Sequence, residues 1–156
     1  MPKPLIKNND LIKVLDENIN LLKKLDNSIN FNINNKTGKK VITNFDNEQF
    51  NRLFFNLIKN SIESIQEKAK KTNKSLKNID IEINQRRDYI TINLIDTGEG
   101  FKDKKTKDII KPYYTTKEKG TGLGLSIVDK IINDHNGSIK FLNTNNGAKV
   151  QIILPK

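Results

Sequence analysis

Apolar residues recur at helical spacing in three stretches of the chain. The first stretch follows Asp10, a good helix N-cap, and has its apolar positions at Leu11, Val14, Leu15, Leu22 and Leu25. The second covers residues 47–71 and carries its apolar residues on one broad face. The third covers residues 123–135 and is followed by Gly137, which is typical of a helix stop. The spacing therefore predicts three amphipathic helices, of which the second is the longest.

The segment before the long helix alternates with a period of two. Asparagines separate Ile29, Phe31 and Ile33, and a Lys-Thr-Gly-Lys turn follows at residues 36–39. A second short apolar run begins at residues 41–42. A half-buried strand, a turn and a returning strand predict a β-hairpin here.

Further strands are expected after the long helix. Alternating runs place them at residues 79–83, 89–95, 138–143 and 148–154, and an Asn-Asn-Gly turn joins the last two. The order of elements predicts an α+β fold. In this two-layer sandwich, a mixed and mostly antiparallel sheet carries three main helices on one face.

The composition narrows the class of protein. At 156 residues the chain has the size of one domain, and its apolar runs fall far short of the ~20 residues that a membrane span needs. It contains no cysteine for disulfides or a thiolate metal site, and its first residues lack the apolar core of a signal peptide. These features favour a cytosolic domain without membrane contact.

The charge distribution bears on possible partners. A net charge of +10 could serve a nucleic-acid partner, because Lys and Arg displace counterions from phosphates. The lysines are spread along the chain beside many asparagines and isoleucines, which favours a solvated surface, and no nucleic-acid partner is expected. Residues 103–119 are lysine-rich without clear periodicity, which predicts a mobile loop of a length that is uncommon unless functional.

Glycines cluster in two short loops. Five of the eight glycines lie there, namely Gly98, Gly100, Gly120, Gly122 and Gly124. Glycine loops at a strand end and at a helix start suggest a cradle for a phosphate or nucleotide, although a flexible turn would also explain the second loop. No Gly-Lys-Ser or Gly-Lys-Thr closes that loop, which excludes a Walker-type site, and the lysine-rich segment before it excludes a Rossmann fingerprint.

Three polar residues stand in otherwise apolar surroundings. Asp96 ends a hydrophobic strand, where a carboxylate could accept a hydrogen bond from an exocyclic amino group or could simply cap a turn. Asn56 and Asn60 lie one helical turn apart within the long helix. Buried amides need partners, and the neutral oxygen of Asn60 suits Mg²⁺. The alternative is that both are surface residues of an asparagine-rich chain.

Four segments, in order, resemble the boxes of one ATPase superfamily. The N, G1 and G2 boxes of the GHKL (Bergerat-fold) ATPases resemble, respectively, residues 56–65, 96–100 and 120–128. Between the last two, Lys-Pro-Tyr-Tyr-Thr-Thr-Lys at residues 111–117 resembles the F box of histidine kinases. The resemblance implies a Bergerat fold and the catalytic ATP-binding domain of a bacterial sensor histidine kinase. Ser61 and Ser64 stand where alanines are common.

The resemblance implies a role for each matching residue. Asp96 would bind the adenine amino group, and Gly98 and Gly100 would shape the adenine end of the pocket. Asn60 would bind Mg²⁺. Thr116 would contact the nucleotide. The phosphates would be held by Lys117 and by the backbone of Gly120, Thr121, Gly122, Leu123, Gly124 and Leu125. Residues 101–121 would form the ATP lid.

The expected catalytic residues are Asn56, Asn60 and Lys117. In the members that hydrolyse ATP, the position of Asn56 resembles one filled by a glutamate that activates water, and an amide cannot act as that base. Slow hydrolysis is implied, together with transfer of the γ-phosphate to a histidine on a separate dimerisation domain, as in two-component signal transduction.

Other classes of function stay open. A stand-alone GHKL ATPase or an anti-sigma-type serine kinase would share three of the boxes. The amide at Asn56 argues against the first, and the F box argues against the second. A nucleotide-sensing interaction module would bind ATP without transferring phosphate.

Residues 1–4, followed by Asp10 and Leu11, resemble the exit from the dimerisation helices in nitrogen-regulation sensor kinases of the NtrY/NtrB kind, and residues 56–65 and 111–128 also fit that branch. This resemblance is narrower than the one to the superfamily. It implies that residues 1–9 are a linker from a dimerisation/phosphoacceptor domain and that residues 10–156 are the catalytic domain, monomeric by itself. The whole protein would be a homodimeric inner-membrane receptor that keeps this domain in the cytoplasm and acts on a response regulator. His135, followed by Asn136 instead of an acidic residue, is expected to be a capping or surface residue and not a phosphoacceptor.

Overall fold

A computed structural model of the chain describes residues 2–38, 40–73, 75–101 and 124–156. The helices among these residues are α1 (Leu11–Leu22), α2 (Asn47–Lys71) and α3 (Gly124–Asp134). A short 3₁₀ turn, Lys23–Leu25, extends α1. The three predicted helices are thereby confirmed. The loop predicted at residues 103–119 lies outside the described residues.

Aspartates begin the first two helices. The carboxylate of Asp10 accepts a hydrogen bond from the N–H of Ile12 at 3.0 Å, as predicted for an N-cap. Asp46 does the same for α2, where its carboxylate accepts from the N–H of Gln49 at 3.0 Å. Each carboxylate satisfies a backbone donor that the first helical turn leaves without an intrahelical partner.

The end of α3 differs in detail from the expectation. Gly137 follows the helix as predicted, and its N–H closes the last turn on the carbonyl of Ile132 at 2.9 Å. The left-handed residue is Asn136, with a φ of 59°, and not the glycine. Gly137 is needed for a close approach instead, because a Cβ there would lie 2.7 Å from the carbonyl oxygen of Ile153.

Five strands form the main sheet, namely β2 (Asn30–Asn35), β4 (Asn78–Gln85), β5 (Tyr89–Asp96), β6 (Ser138–Asn143) and β7 (Ala148–Pro155). Their order across the sheet is β2-β4-β5-β7-β6. The β2-β4 pair is parallel and the other three pairs are antiparallel. The sheet is therefore mixed and mostly antiparallel, and the predicted α+β sandwich is confirmed.

The hairpin predicted for residues 29–42 is wrong. β3 (Ile42–Phe45) does not pair with β2 but runs antiparallel to β1 (Lys7–Asp10) in a separate two-stranded sheet. The sequence analysis did not predict β1. The connection from β2 to β4 passes through α2, the kind of helical crossover that parallel strands require. Alternation identifies a strand and its buried face but not its partner.

One hydrophobic core lies between the sheet and the helices. Its sheet side includes Ile79, Ile81 and Ile83 of β4, which alternate with polar residues that are only partly buried. Its helix side includes Phe50 and Phe54 of α2, with ring centroids 6.1 Å apart. This packing fixes the position of α2 across the sheet and, with it, every polar residue that α2 presents at its ends and edges.

Candidate functional site

The predicted amides of α2 lie beside the start of α3. Asn56 and Asn60 are half-buried and one helical turn apart. A Cβ placed on Gly124 would lie 3.6 Å from the Oδ1 of Asn56, so the first residue of α3 packs directly over this amide. The tertiary structure thus places Gly124, the first of the predicted phosphate-binding residues that the structure describes, against the predicted N box.

Asp96 is a deeply buried polar residue of the site. It ends β5, is 5% exposed, and accepts a hydrogen bond from the N–H of Gly98 at 2.9 Å. The side chain of Ser61 and the backbone of Ala148 also donate hydrogen bonds to its carboxylate. A buried carboxylate held by fixed donors presents an acceptor at a defined place and angle.

Burial raises the pKa of Asp96 above its ordinary value, because desolvation disfavours the charged form. The hydrogen bonds from Gly98, Ser61 and Ala148 and the positive charge of Lys68 act in the opposite direction but are smaller. A ligand that donates a hydrogen bond to this carboxylate would replace water that folding has removed.

The loop after Asp96 can be built only with glycines at two positions. A Cβ on Gly98 would overlap the side chain of Ser64, and Gly100 has a φ of +78°. Gly100 also approaches Asn143 so closely that a Cβ would lie 2.7 Å from the Oδ1 of that residue. The predicted role of both glycines in shaping this end of the site is thus compatible with their packing.

Two residues that the sequence analysis did not single out border the same loop. A Cβ on Gly147 would overlap the carbonyl oxygen of Asp96, so the β6-β7 turn lies directly against the end of β5. Asn143 accepts a hydrogen bond from the N–H of Phe101 at 2.6 Å and donates one to its carbonyl at 2.9 Å. The sequence marks Gly147 only as part of a hairpin turn, and no sequence pattern marks Asn143.

The remaining predicted site residues divide into two groups. Leu125 is described, and its partly buried side chain packs against the hydrophobic core. The other group lies outside the described residues and comprises Thr116, Lys117, Gly120, Thr121, Gly122 and Leu123. The predicted lid, residues 101–121, is described only at Phe101.

The donor set defines what kind of metal ion could bind. In the described part of the chain, no three His, Cys, Asp or Glu side chains meet in a group that could hold a metal ion. An amide such as Asn60 supplies a single neutral oxygen, which fits a Mg²⁺ ion that keeps waters and is completed by phosphate oxygens. The residues that the structure describes therefore do not fit a metal site built wholly from their own side chains.

His135, expected to be a capping or surface residue, is buried, so the surface alternative is wrong, and its hydrogen bond to a carbonyl in the last turn of α3 fits the capping alternative. Its ring is 6% exposed and packs edge-on against Phe50 with centroids 4.7 Å apart. The Nδ1 atom lies 2.7 Å from the carbonyl of Ile131, and the Nε2 atom accepts from the N–H of Asp46 at 3.0 Å. A ring with both nitrogens engaged and its surface covered is not placed to accept a phosphoryl group.

Residues 45–156 match the family described as histidine kinase-, DNA gyrase B- and HSP90-like ATPase. Sporulation kinase C of Bacillus subtilis is 36% identical over 113 residues, 72% of this chain and 24% of that protein. The nitrogen regulation protein NtrY of Azorhizobium caulinodans is 29% identical over 154 residues, 99% of this chain and 20% of that protein. The chain thus spans at most about a quarter of these relatives.

Solved structures share the fold over nearly the whole chain. The nucleotide-free catalytic domain of histidine kinase ThkA superposes with a TM-score of 0.82 at 24% identity, covering 97% of this chain and 95% of that one. The mycobacterial sensor histidine kinase MprB has a TM-score of 0.77 at 17% identity and 97% coverage of each chain.

Among the residues that the structure describes, no helix combines the length and the apolar character that a membrane span requires.

Proposed function

The chain belongs to the histidine kinase-, DNA gyrase B- and HSP90-like ATPase family, and on this basis we propose that it binds Mg·ATP and transfers the γ-phosphate to a histidine of a separate dimerisation domain. The named relatives are a sporulation kinase and a nitrogen regulation protein, which favours the kinase branch of the family and signalling through a response regulator. The narrower assignment to nitrogen-regulation receptors of the NtrY kind is part of the same proposal.

The observation that carries the proposal is the buried carboxylate of Asp96. Three donors fix its orientation. Burial removes water from the carboxylate and thereby raises the pKa of Asp96. The amino group of adenine is a neutral donor of the right size to complete this arrangement, whereas the carbonyl at the same position of guanine would face the carboxylate with a second acceptor. Asp96 would therefore select adenine.

The phosphates would lie at the other end of the site. Gly124 opens α3, and backbone N–H groups at a helix start favour anions. Asn60 would be the protein ligand of Mg²⁺, and the bound ion would supply charge that offsets the phosphate oxygens. Lys117 and residues 120–123 keep the phosphate-binding roles, and Thr116 the nucleotide-binding role, that the resemblance implies for them.

Asn56 bears on the fate of the phosphate. It lies beside Gly124, where a glutamate would be placed to activate a water molecule, but its amide cannot accept a proton from water. Catalysis would then rest on positioning and on charge stabilisation, and phosphate would leave efficiently only when an acceptor histidine is presented. The acceptor would be on the dimerisation domain, and residues 1–9 would connect to that domain, with residues 7–9 also paired to β3 as part of β1.

The adenine end of the proposal is tested by substituting Asp96→Asn and measuring thermal unfolding with and without Mg·ATP. ATP at about 100 times its dissociation constant should stabilise the parent protein by ~2.7 kcal/mol, and D96N should lose this gain because its amide turns a donor toward the base. Asp88→Asn is the matched control, since Asp88 is exposed in the turn before β5. A nucleotide-dependent shift that survives in D96N would remove Asp96 from this role.

The transfer step is tested by mixing the purified chain with labelled ATP and a purified dimerisation domain. The chain alone should acquire no acid-labile phosphate, and the added domain should be labelled on its histidine. Labelling should be weak, because no tether raises the effective concentration. Label on the buried His135, or rapid ATP turnover by the chain alone, would instead favour a self-sufficient kinase or ATPase.

A further inference from the structure

One face of the last turns of α2 holds the loop that follows β5. Ser64, Lys68 and Lys71 recur at spacings of four and three, which places them on one side of the helix. The Oγ of Ser64 accepts from the N–H of Glu99 at 2.8 Å, and the Nζ of Lys71 lies 2.5 Å from the carboxylate of Glu99. Both the backbone and the side chain of Glu99 in this loop are therefore bonded to α2.

Lys68 attaches a second loop at the same time. Its Nζ donates to the carbonyl oxygen of Gly98 at 3.2 Å and to that of Asn146 at 2.8 Å. Gly98 in turn donates its N–H to the carboxylate of Asp96, and Gly147 packs against the carbonyl oxygen of Asp96. A single ammonium group thus joins the two loops that surround Asp96.

We propose that Lys68 is a positioning residue for the adenine end of the nucleotide site, because it holds the carbonyls of Gly98 and Asn146 together and so orients the Asp96 carboxylate toward the base. This inference rests on the proposed function and adds to it a residue outside the four boxes. Lys68 is one of three lysines in the last turn of α2, with Lys70 and Lys71, and its residue type alone does not distinguish it from them. Its two charge-assisted hydrogen bonds set it apart from the neighbouring lysines.

The position of Lys68 determines which nucleotides should be affected by its loss. Its contacts lie around Asp96, away from the start of α3 where the phosphates are assigned. Removal of the ammonium group should therefore weaken adenosine, ADP and ATP by the same factor. A lysine that touched the phosphates would weaken ATP most and adenosine least, because its attraction grows with the charge of the ligand.

The test is calorimetric titration of the parent protein, Lys68→Met and Lys68→Arg with adenosine, ADP and Mg·ATP. Lys68→Met keeps the aliphatic stem and removes the donor, and it should weaken all three ligands by roughly three- to tenfold, as expected for partly exposed charge-assisted hydrogen bonds. Lys68→Arg should bind more tightly than Lys68→Met. Lys70→Met is the matched control, since Lys70 is exposed and binds only Glu67 among the contacts described, at 3.0 Å; its affinities should stay within about twofold of the parent.

Amide hydrogen exchange of Gly98 and Gly147 in the nucleotide-free protein provides a readout that needs no ligand. Both amides should exchange faster in Lys68→Met than in the parent or in Lys70→Met, because the two loops are no longer joined. Should Lys68→Met fail to fold, Lys68→Gln replaces it in both measurements.

The outcomes separate this inference from the proposed function. If the parent protein does not bind ATP, the proposed function fails, and unchanged exchange at Gly98 and Gly147 would independently show that Lys68 does not hold the loops. If the parent binds ATP, parental affinities in Lys68→Met, or a loss that grows from adenosine to ATP, would overturn the positioning role alone.

Discussion

The Nε2 atom of His135 accepts a hydrogen bond from the backbone N–H of Asp46 at 3.0 Å, across 89 positions of sequence. The carboxylate of Asp46 caps α2 and also accepts from the N–H of Leu5 at 2.6 Å. Through these contacts the end of α3, the start of α2 and the N-terminal segment meet at one point. The end of α3 is thus held at the start of α2, while Gly124 at the other end of α3 packs against Asn56.

His135→Ala should destabilise the fold by about 2–3 kcal/mol, because it removes two buried hydrogen bonds and the ring that packs on Phe50. Urea unfolding followed by circular dichroism measures the effect. Asn133→Ala, an exposed change on the same helix, should alter the free energy of unfolding by less than about 0.5 kcal/mol. Equal stability of the two variants would show that the His135 contacts contribute nothing net.

Asn60→Ala should weaken nucleotide binding at least about tenfold in the presence of Mg²⁺, a loss in the range typical of groups that support a bound metal. Titration in EDTA is the internal control, where the parent and the variant should bind nearly alike. An equal loss with and without the metal would assign Asn60 a structural role in α2 and exclude it as the metal ligand.

The stability contributed by Asp96 should depend on pH. Folding raises the pKa of this carboxyl above the ordinary value of 3.8, so protonation is favoured in the folded state. Its contribution is fully present below that ordinary value and is lost as the pH rises through the raised, folded-state pKa.

Unfolding of the nucleotide-free parent and Asp96→Asn between pH 4 and pH 7 tests this sign, because the other carboxylates cancel in the difference. The free energy of unfolding of the parent minus that of the variant should fall as the pH rises. A difference that is constant or rises with pH would contradict a raised pKa.

Gly147→Ala should abolish ATP binding and destabilise the fold, because the new Cβ overlaps the backbone of Asp96, which cannot move without shifting β5. Gly38→Ala is the matched control. Gly38 has a φ of +66° but nothing within 4 Å of the added atom, so the change should cost about 1 kcal/mol and leave ATP affinity intact. Thermal unfolding with and without Mg·ATP distinguishes the two, and normal ATP binding by Gly147→Ala would contradict the close packing.

The local elements were accessible from sequence because their signals are local. The Asp10 cap, the apolar face of α2 and the alternation of β4 each depend on residues within a few positions of one another. The pairing of β2 was not, since a parallel partner reached through a helix leaves no mark in the strand itself. β1 and the burial of His135 were also not predicted, because both depend on contacts with residues distant in sequence.

The residues of the candidate site also differ in whether the sequence or only the tertiary structure identified them. The family resemblance was determined by residue types and their order along the chain, because each box is a short segment. The described residues concerned are Asn56, Asn60, Asp96, Gly98 and Gly100. Only the tertiary structure decided that Lys68 reaches two loops and that Gly147 lies against Asp96. Those relationships depend on how α2 lies across the sheet, and that position is set by the packing of the whole core.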